Sequence, residues 1–309
     1  MDDNPRMPKV KKHRSRTRRT SPTTKKDMSK LAPGLKALIN ASSARPHATA
    51  APARIGEVYK AIANDAAKRN VGLKPWIALT TAATFTLNSP DSLPILHTVA
   101  SSAPGSDPVR AAELIREVGL KCISFNGIPR SINNLNAFHA SLPSDVTSRL
   151  ETRASRTITP EGLPAAAARG RALWDSVYAP FEDKLVAKLA ASHPDLPVHI
   201  LGSHYGPLLS DPEGDRGGLA RVGRVLTSIV AISCLRAQTG VGPQVLSHVF
   251  GLRKAVDDGS LAKEVASQEG LEGAEWLASD EGSEWLLKAV DSVTEALGGG
   301  NFGSHGSKL

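Results

Sequence analysis

From Ile55 onward the apolar positions recur at helical spacing. Val58, Ile62 and Ala66 stand four apart, and Trp76 to Leu87 is apolar along most of its length. After a Ser89-Pro90 break comes a short segment with His97, and then a stripe of Ala111, Leu114, Ile115, Val118 and Cys122. A Gly-Ile-Pro turn at Gly127 to Pro129 ends that helix, and the next places Ile132, Leu135, His139 and Leu142 on one side. Thr157 to Pro164 reads as a linker. Helix resumes from about Ala165 through Tyr178, and another starts after Pro180, where Glu182 and Asp183 favour the positive end of the dipole. Beyond a loop at Ser210 to Gly218, Val222, Val225, Leu226, Ile229 and Val230 form one amphipathic face. A helix from Gln244 is expected to bury Val245, Val249, Leu252 and Val256. The last helix carries Leu286, Val290, Val293 and Leu297, with Gly298 as its stop. No segment alternates like a strand between hairpin turns, so the pattern predicts an all-α chain.

Composition narrows this picture. Apolar residues make up 40% of the 309 but aromatics only 4%, which predicts a core of Ala, Leu and Val. No apolar run has the length of a membrane-spanning helix, so no membrane span is expected. Cys122 and Cys234 are the two cysteines, far apart in sequence; this excludes a disulfide framework and any CxxC redox or zinc motif, and suits a soluble protein of a reducing interior. No histidine or cysteine spacing defines a metal site.

Charge is concentrated at one end. Residues 1–30 hold eleven Lys or Arg against three Asp, while the remainder holds 27 of each sign. Residues 1–50 therefore read as a disordered basic arm, with a short helix around Leu35 to Ile39. The run from Lys9 to Arg19 suits a nuclear signal, a nucleic-acid or anionic-membrane patch, or a solvated arm. It lacks aromatics on which bases could stack, and nucleic acid is the least favoured partner. At the other end, Ser307-Lys308-Leu309 matches the tripeptide address of the peroxisomal import receptor, presented on the glycine-rich stretch from Gly298 to Gly306. The predicted location is the peroxisomal matrix, with nucleus or cytosol as the alternative through the basic arm.

Two stretches resemble the alkylhydroperoxidase-D-like and carboxymuconolactone decarboxylase superfamily. Pro194 to Pro212 (PDLPVHILGSHYGPLLSDP), the Arg224-led helix RVLTSIVAISCLRAQTG and the His248 helix QVLSHVFGLRKA resemble its arginine-led helix followed by a histidine-bearing helix. Glu113 to Ala140 resembles its other signature, an acid-led helix, an aromatic-x-glycine-x-proline turn and an apolar helix. The resemblance implies two tandem units packed together, residues 51–150 and 165–297, joined by linker 151–164 and followed by flexible tail 298–309. In the first unit His97 would stand where His248 stands in the second.

The hydroperoxidase branch uses a CxxC pair shortly before its histidine, but Val241 and Gln244 occupy those positions, so thiol peroxidase activity is disfavoured. The decarboxylase branch implies cofactor-free acid–base chemistry on a small carboxylated or oxygenated metabolite, and association into a homo-oligomer. His248 would shuttle protons, Arg224 would grip a carboxylate and Tyr205 would line the pocket with His204. His97 stands as a further candidate. Arg130 and Asn133 follow the Gly-Ile-Pro turn, where free helix amides could receive an anion. Each has a plain alternative. His248 lies roughly 70° from the centre of its apolar stripe, a border position that suits a pocket edge and also a structural histidine capping a helix end or bonding a carbonyl. Arg224 could pair with an acid, Tyr205 could be a satisfied core tyrosine, and Arg130 and Asn133 could be capping groups. The whole chain could be a non-catalytic binding or scaffold protein.

Overall fold

The computed structural model describes residues 31–212 and 221–299, and these are helical, with no strand among them. The basic run of residues 1–30, part of the Ser210 to Gly218 loop and the C-terminal tripeptide lie outside the described residues. The described residues up to 47 form one unit, helix α1 (Pro33–Ile39) and a 3-10 turn (Ser42–Ala44), neither with a buried residue.

The described residues from 48 to 299 form the other unit. Its helices are α2 (Ile55–Lys68), α3 (Leu73–Thr86), α4 (Leu93–Ser101), α5 (Pro108–Lys121), α6 (Ile123–Asn126), α7 (Ile128–Ser141) and α8 (Ser144–Thr147). After the extended stretch around residue 155 come α9 (Leu163–Tyr178), α10 (Glu182–Ser192), α11 (Asp195–His199) and a π-helix (Ile200–Leu209). The order ends with α12 (Gly223–Gln238), α13 (Gly242–Asp257), α14 (Ser260–Ser267), α15 (Ala274–Leu277) and α16 (Asp280–Ala296).

Two helices run through the centre. α3 is buried from Lys74 to Thr86 and α12 from Arg224 to Leu235, and the two pack on each other. Such helices are apolar all round rather than striped. Three of the hydroxyls that α3 carries inward are satisfied locally: Thr80, Thr84 and Thr86 donate to the carbonyls of Trp76, Thr80 and Ala82 at 2.8, 2.7 and 2.7 Å, while Thr81 Oγ1 is buried without a partner. A single hydrophobic core draws on residues from both sides of 151–164, from Ile55 and Leu79 to Val230 and Val293.

Sequence punctuation sets the helix ends. Asp107 caps α5 by accepting from the Val109 and Arg110 amides at 2.8 and 3.0 Å, with Pro108 in the first turn. Gly127 separates α6 from α7 at φ +78°, a conformation glycine reaches without a Cβ penalty.

Two stripes differ from the sequence pattern. On α7 the buried residues are Ser131, Asn134 and Phe138, whereas Ile132 is 51% exposed. The small polar face is selected because it lies over α5, where Ser131 donates to the Gly119 carbonyl at 3.2 Å. On α13 the buried residues are His248, Gly251, Leu252 and Ala255, with Val256 turned outward. The cause is α9: a Cβ on Gly251 would stand 2.9 Å from Val177 Cγ1, so only the glycine face permits that crossing. His248 is therefore at the centre of the buried face and not at its border.

Candidate functional site

Backbone contact between α9 and the π-helix builds the site. A Cβ on Gly206 would meet the Ala166 carbonyl at 2.9 Å, and one on Gly170 would run into the Gly206 backbone. The two glycines let the helices touch main chain to main chain, which brings Tyr205 beside Trp174 and Tyr178 of α9. The Trp174 ring lies 4.2 Å from Tyr178 and 5.1 Å from Tyr205, centroid to centroid. A π-helix is rare and strained relative to α, and such segments are found at functional sites.

A hydrogen-bond chain runs across this cluster. Tyr205 donates its hydroxyl to the Tyr178 oxygen at 3.2 Å, and the Tyr178 hydroxyl lies 3.4 Å from His248 Nε2. Phe125 of α6 presents an edge to the imidazole at 6.2 Å. His248 Nδ1 is buried with no hydrogen-bond partner. Burial, and then the nearby Arg224 charge, push the His248 pKa down to about 4, so the ring is neutral near pH 7. Burial likewise raises the Tyr178 and Tyr205 hydroxyls, keeping both protonated.

Arg224 opens α12 and is 8% exposed. It donates from Nη2 to the Ser176 carbonyl at 2.6 Å and from Nε to Ser176 Oγ at 3.3 Å, while Nη1 is buried without a partner. Its backbone N–H and that of Val225 are taken by the Glu264 carboxyl, at 2.7 and 3.1 Å. The amides at the start of α12 are thus already capped, and any anion must be held by the guanidinium. Burial holds the Arg224 pKa below its ordinary value.

Beside this site lies a buried ionic cluster that the sequence reading passed over. The fully buried Lys121 amine donates to the Leu209 carbonyl, to Asp211 Oδ1 at 2.8 Å and toward Thr227 Oγ1 at 3.5 Å. Asp211 Oδ2 accepts from the Gly223 amide at 2.6 Å. Burial alone would raise the Asp211 carboxyl, but Lys121, the Gly223 N–H and Arg156 outweigh it and hold its pKa low. The cluster fastens the end of the π-helix to α5 and α12. One turn back on α5, the buried Glu117 pairs with Arg156.

His248, Arg224 and Tyr205 are thus gathered around α9, with Tyr178 as the link between two of them. Tyr178 was missed because an aromatic at a helix end reads as packing. His204 adjoins Tyr205 but turns to α6, where its Nδ1 lies 3.0 Å from Ser124 Oγ; burial, then His199, lower its pKa. His97 is elsewhere, between α4, α5 and α7, with Nε2 at 2.8 Å from the Pro108 carbonyl and its ring against Phe138. Arg130 donates to the Thr86 carbonyl, and Asn133 Nδ2 reaches Asn88 Oδ1 at 3.4 Å; both finish the C-terminal end of α3. Cys122 and Cys234, separated by 112 positions in sequence, place their sulfurs 3.6 Å apart as free, buried thiols. The fold creates a neighbour relation that linear spacing concealed.

Among the described residues no group of three or more His, Cys, Asp or Glu could hold a metal ion, and no helix is long and apolar enough to cross a membrane. No protein-family model, curated protein or solved structure matches the chain.

Proposed function

We propose that the site around His248 carries out cofactor-free acid–base chemistry on a small carboxylated or oxygenated metabolite, in the manner of a carboxymuconolactone decarboxylase. The supporting observation is the Tyr205–Tyr178–His248 chain, which ends on a neutral imidazole within electrostatic range of a guanidinium with a free N–H. Arg224 Nη1 binds the substrate carboxylate, and His248 Nδ1 faces the carbon or oxygen whose proton moves. When Nε2–H donates to Tyr178, Nδ1 holds a lone pair and acts as base. The imidazolium formed by that transfer then returns the proton from Nδ1–H as the acid, and His248 ends neutral. Throughout, Nε2–H donates to the Tyr178 oxygen. A carboxylate on Arg224 also offsets the cation that depresses His248, so binding raises the basicity of the ring where it is needed.

The test is deuterium uptake from D2O into the acidic C–H of a carboxylated lactone, followed by proton NMR. Wild type is expected to speed uptake and His248→Gln to lose about a hundredfold, general acid–base groups contributing roughly 10²–10⁴. Equal rates for folded wild type and His248→Gln defeat the assignment.

The same reading includes self-association and peroxisomal routing. Leu246 and Phe250, one turn apart on α13, are 57% and 52% exposed and offer an apolar patch for a second copy. Sedimentation of Phe250→Glu should show a smaller species than wild type; an unchanged distribution removes this face from consideration.

A further inference from the structure

Away from His248, a cleft of about 840 Å³ opens among α2, α3, α4, α5 and residues 269–272. That volume falls in the range of small-molecule sites, about 300–1,000 Å³. It exists because facing helices spend small residues there: Ala63 and Ala67 on α2 stand opposite Ala103 beyond the end of α4. Ile77, Val99 and Leu114 make the wall apolar.

Lys60, Lys74 and Arg110 bring basic side chains to its edge. Lys74 is 7% exposed, and its amine donates to two neutral acceptors, Gln268 Oε1 at 3.0 Å and the Arg221 carbonyl at 3.3 Å. Arg110 is near enough for its charge to weigh on Lys74, and its carboxylate partner Glu269, at 2.9 Å, has a side chain 82% exposed. The Gln268 amide nitrogen is buried beside Lys74 without a partner. Lys60 adds a further cation to the lining, while Glu272 adds a carboxylate that accepts from the Gly270 N–H at 3.2 Å. Buried cations are ordinarily paired; Asp211 and Glu264 act on Lys74 through space, but burial and the Arg110 and Arg221 cations outweigh them.

We propose that this cleft binds a small molecule with an apolar body and one carboxylate, the body lying on Ile77, Val99 and Leu114 and the carboxylate meeting Lys74 and Arg110. Burial first, and Arg110 second, lower the Lys74 pKa. An incoming carboxylate offsets both effects through its opposite charge.

Calorimetric titration of the full chain with decanoate and with decanol tests this. Decanoate is expected to saturate and to bind about tenfold tighter than decanol, the worth of a charged hydrogen bond. Lys74→Met should bring decanoate down to the level of decanol. Ala67→Trp, at an exposed helix position where folding is not at stake, should abolish both, and His248→Gln should leave both unchanged. Absence of saturation in wild type, equal affinity for acid and alcohol, or undiminished binding in Ala67→Trp overturns the proposal. Loss of decanoate in folded His248→Gln overturns it too, because the ligand would then occupy the other site.

Discussion

Replacing Lys121 by Met removes the ammonium and keeps the stem. In the wild type this amine is fully buried and 2.8 Å from an Asp211 oxygen whose side chain is 21% exposed. At an effective dielectric of about 20, that separation corresponds to about 6 kcal/mol of gross attraction, most of it spent on desolvating the two ions. Removing one partner forfeits the attraction while leaving Asp211 with the Gly223 amide and the more distant Arg156. The Leu209 carbonyl also loses its donor. Stranding a buried charge costs about 3–5 kcal/mol, and Lys121→Met should fall there in urea denaturation at pH 7. Lys121→Met combined with Asp211→Asn removes both charges and should recover about half of that loss. Because Lys121 fastens the end of the π-helix that carries Tyr205, the single variant should also weaken the tyrosine and tryptophan near-ultraviolet circular dichroism of the site. A cost below about 1 kcal/mol, with no recovery in the double variant, would falsify the view that this ion pair anchors the π-helix.

Other expectations follow from the same geometry. His248 titrates near 4 when folded and near 6.5 when unfolded, so the unfolded chain gains a proton that the folded one refuses. Stability is therefore lost as pH falls from about 6.5 towards 4, by about 3 kcal/mol at pH 4, and His248→Gln should lack this component of the urea midpoint's pH dependence. Identical pH profiles for the two proteins rule the depressed pKa out. Gly170→Ala, ordinarily favourable within a helix, should instead destabilise by about 1–3 kcal/mol because the added Cβ meets the Gly206 backbone; a raised melting temperature would show that the two helices are not in contact. For the address at the terminus, Leu309→Asp in a fluorescently tagged chain should leave the protein outside peroxisomes, and unchanged punctate location refutes the routing.

Helix content was legible because apolar spacing and Pro or Gly punctuation are local signals. The stripe from Ala111 to Cys122 announces α5, and the run from Val222 to Val230 announces α12. The phase of α13 was not legible, since its apolar stripe of Val245, Val249 and Val256 is real but faces the weaker packing direction. The buried face is chosen by a glycine meeting Val177, 74 residues earlier in the chain. His248, Arg224 and Tyr205 could be proposed from motif resemblance, yet Tyr178 was invisible as a relay because its role depends on two partners brought in from other helices. The Lys121–Asp211 pair joins positions 90 apart, and nothing in either neighbourhood marks the lysine as buried. Arg130 and Asn133 show the reverse error: a turn that looks ready for an anion is occupied by the end of α3.

The most direct measurement is a titration of His248 by NMR on protein with isotope-labelled histidine, first alone and then saturated with a carboxylated lactone. The account predicts a free-state pKa of about 4 that rises when the carboxylate meets Arg224, with Arg224→Gln abolishing the rise. A free-state value near 6.5, or one near 4 that the carboxylated lactone leaves unmoved, would contradict it.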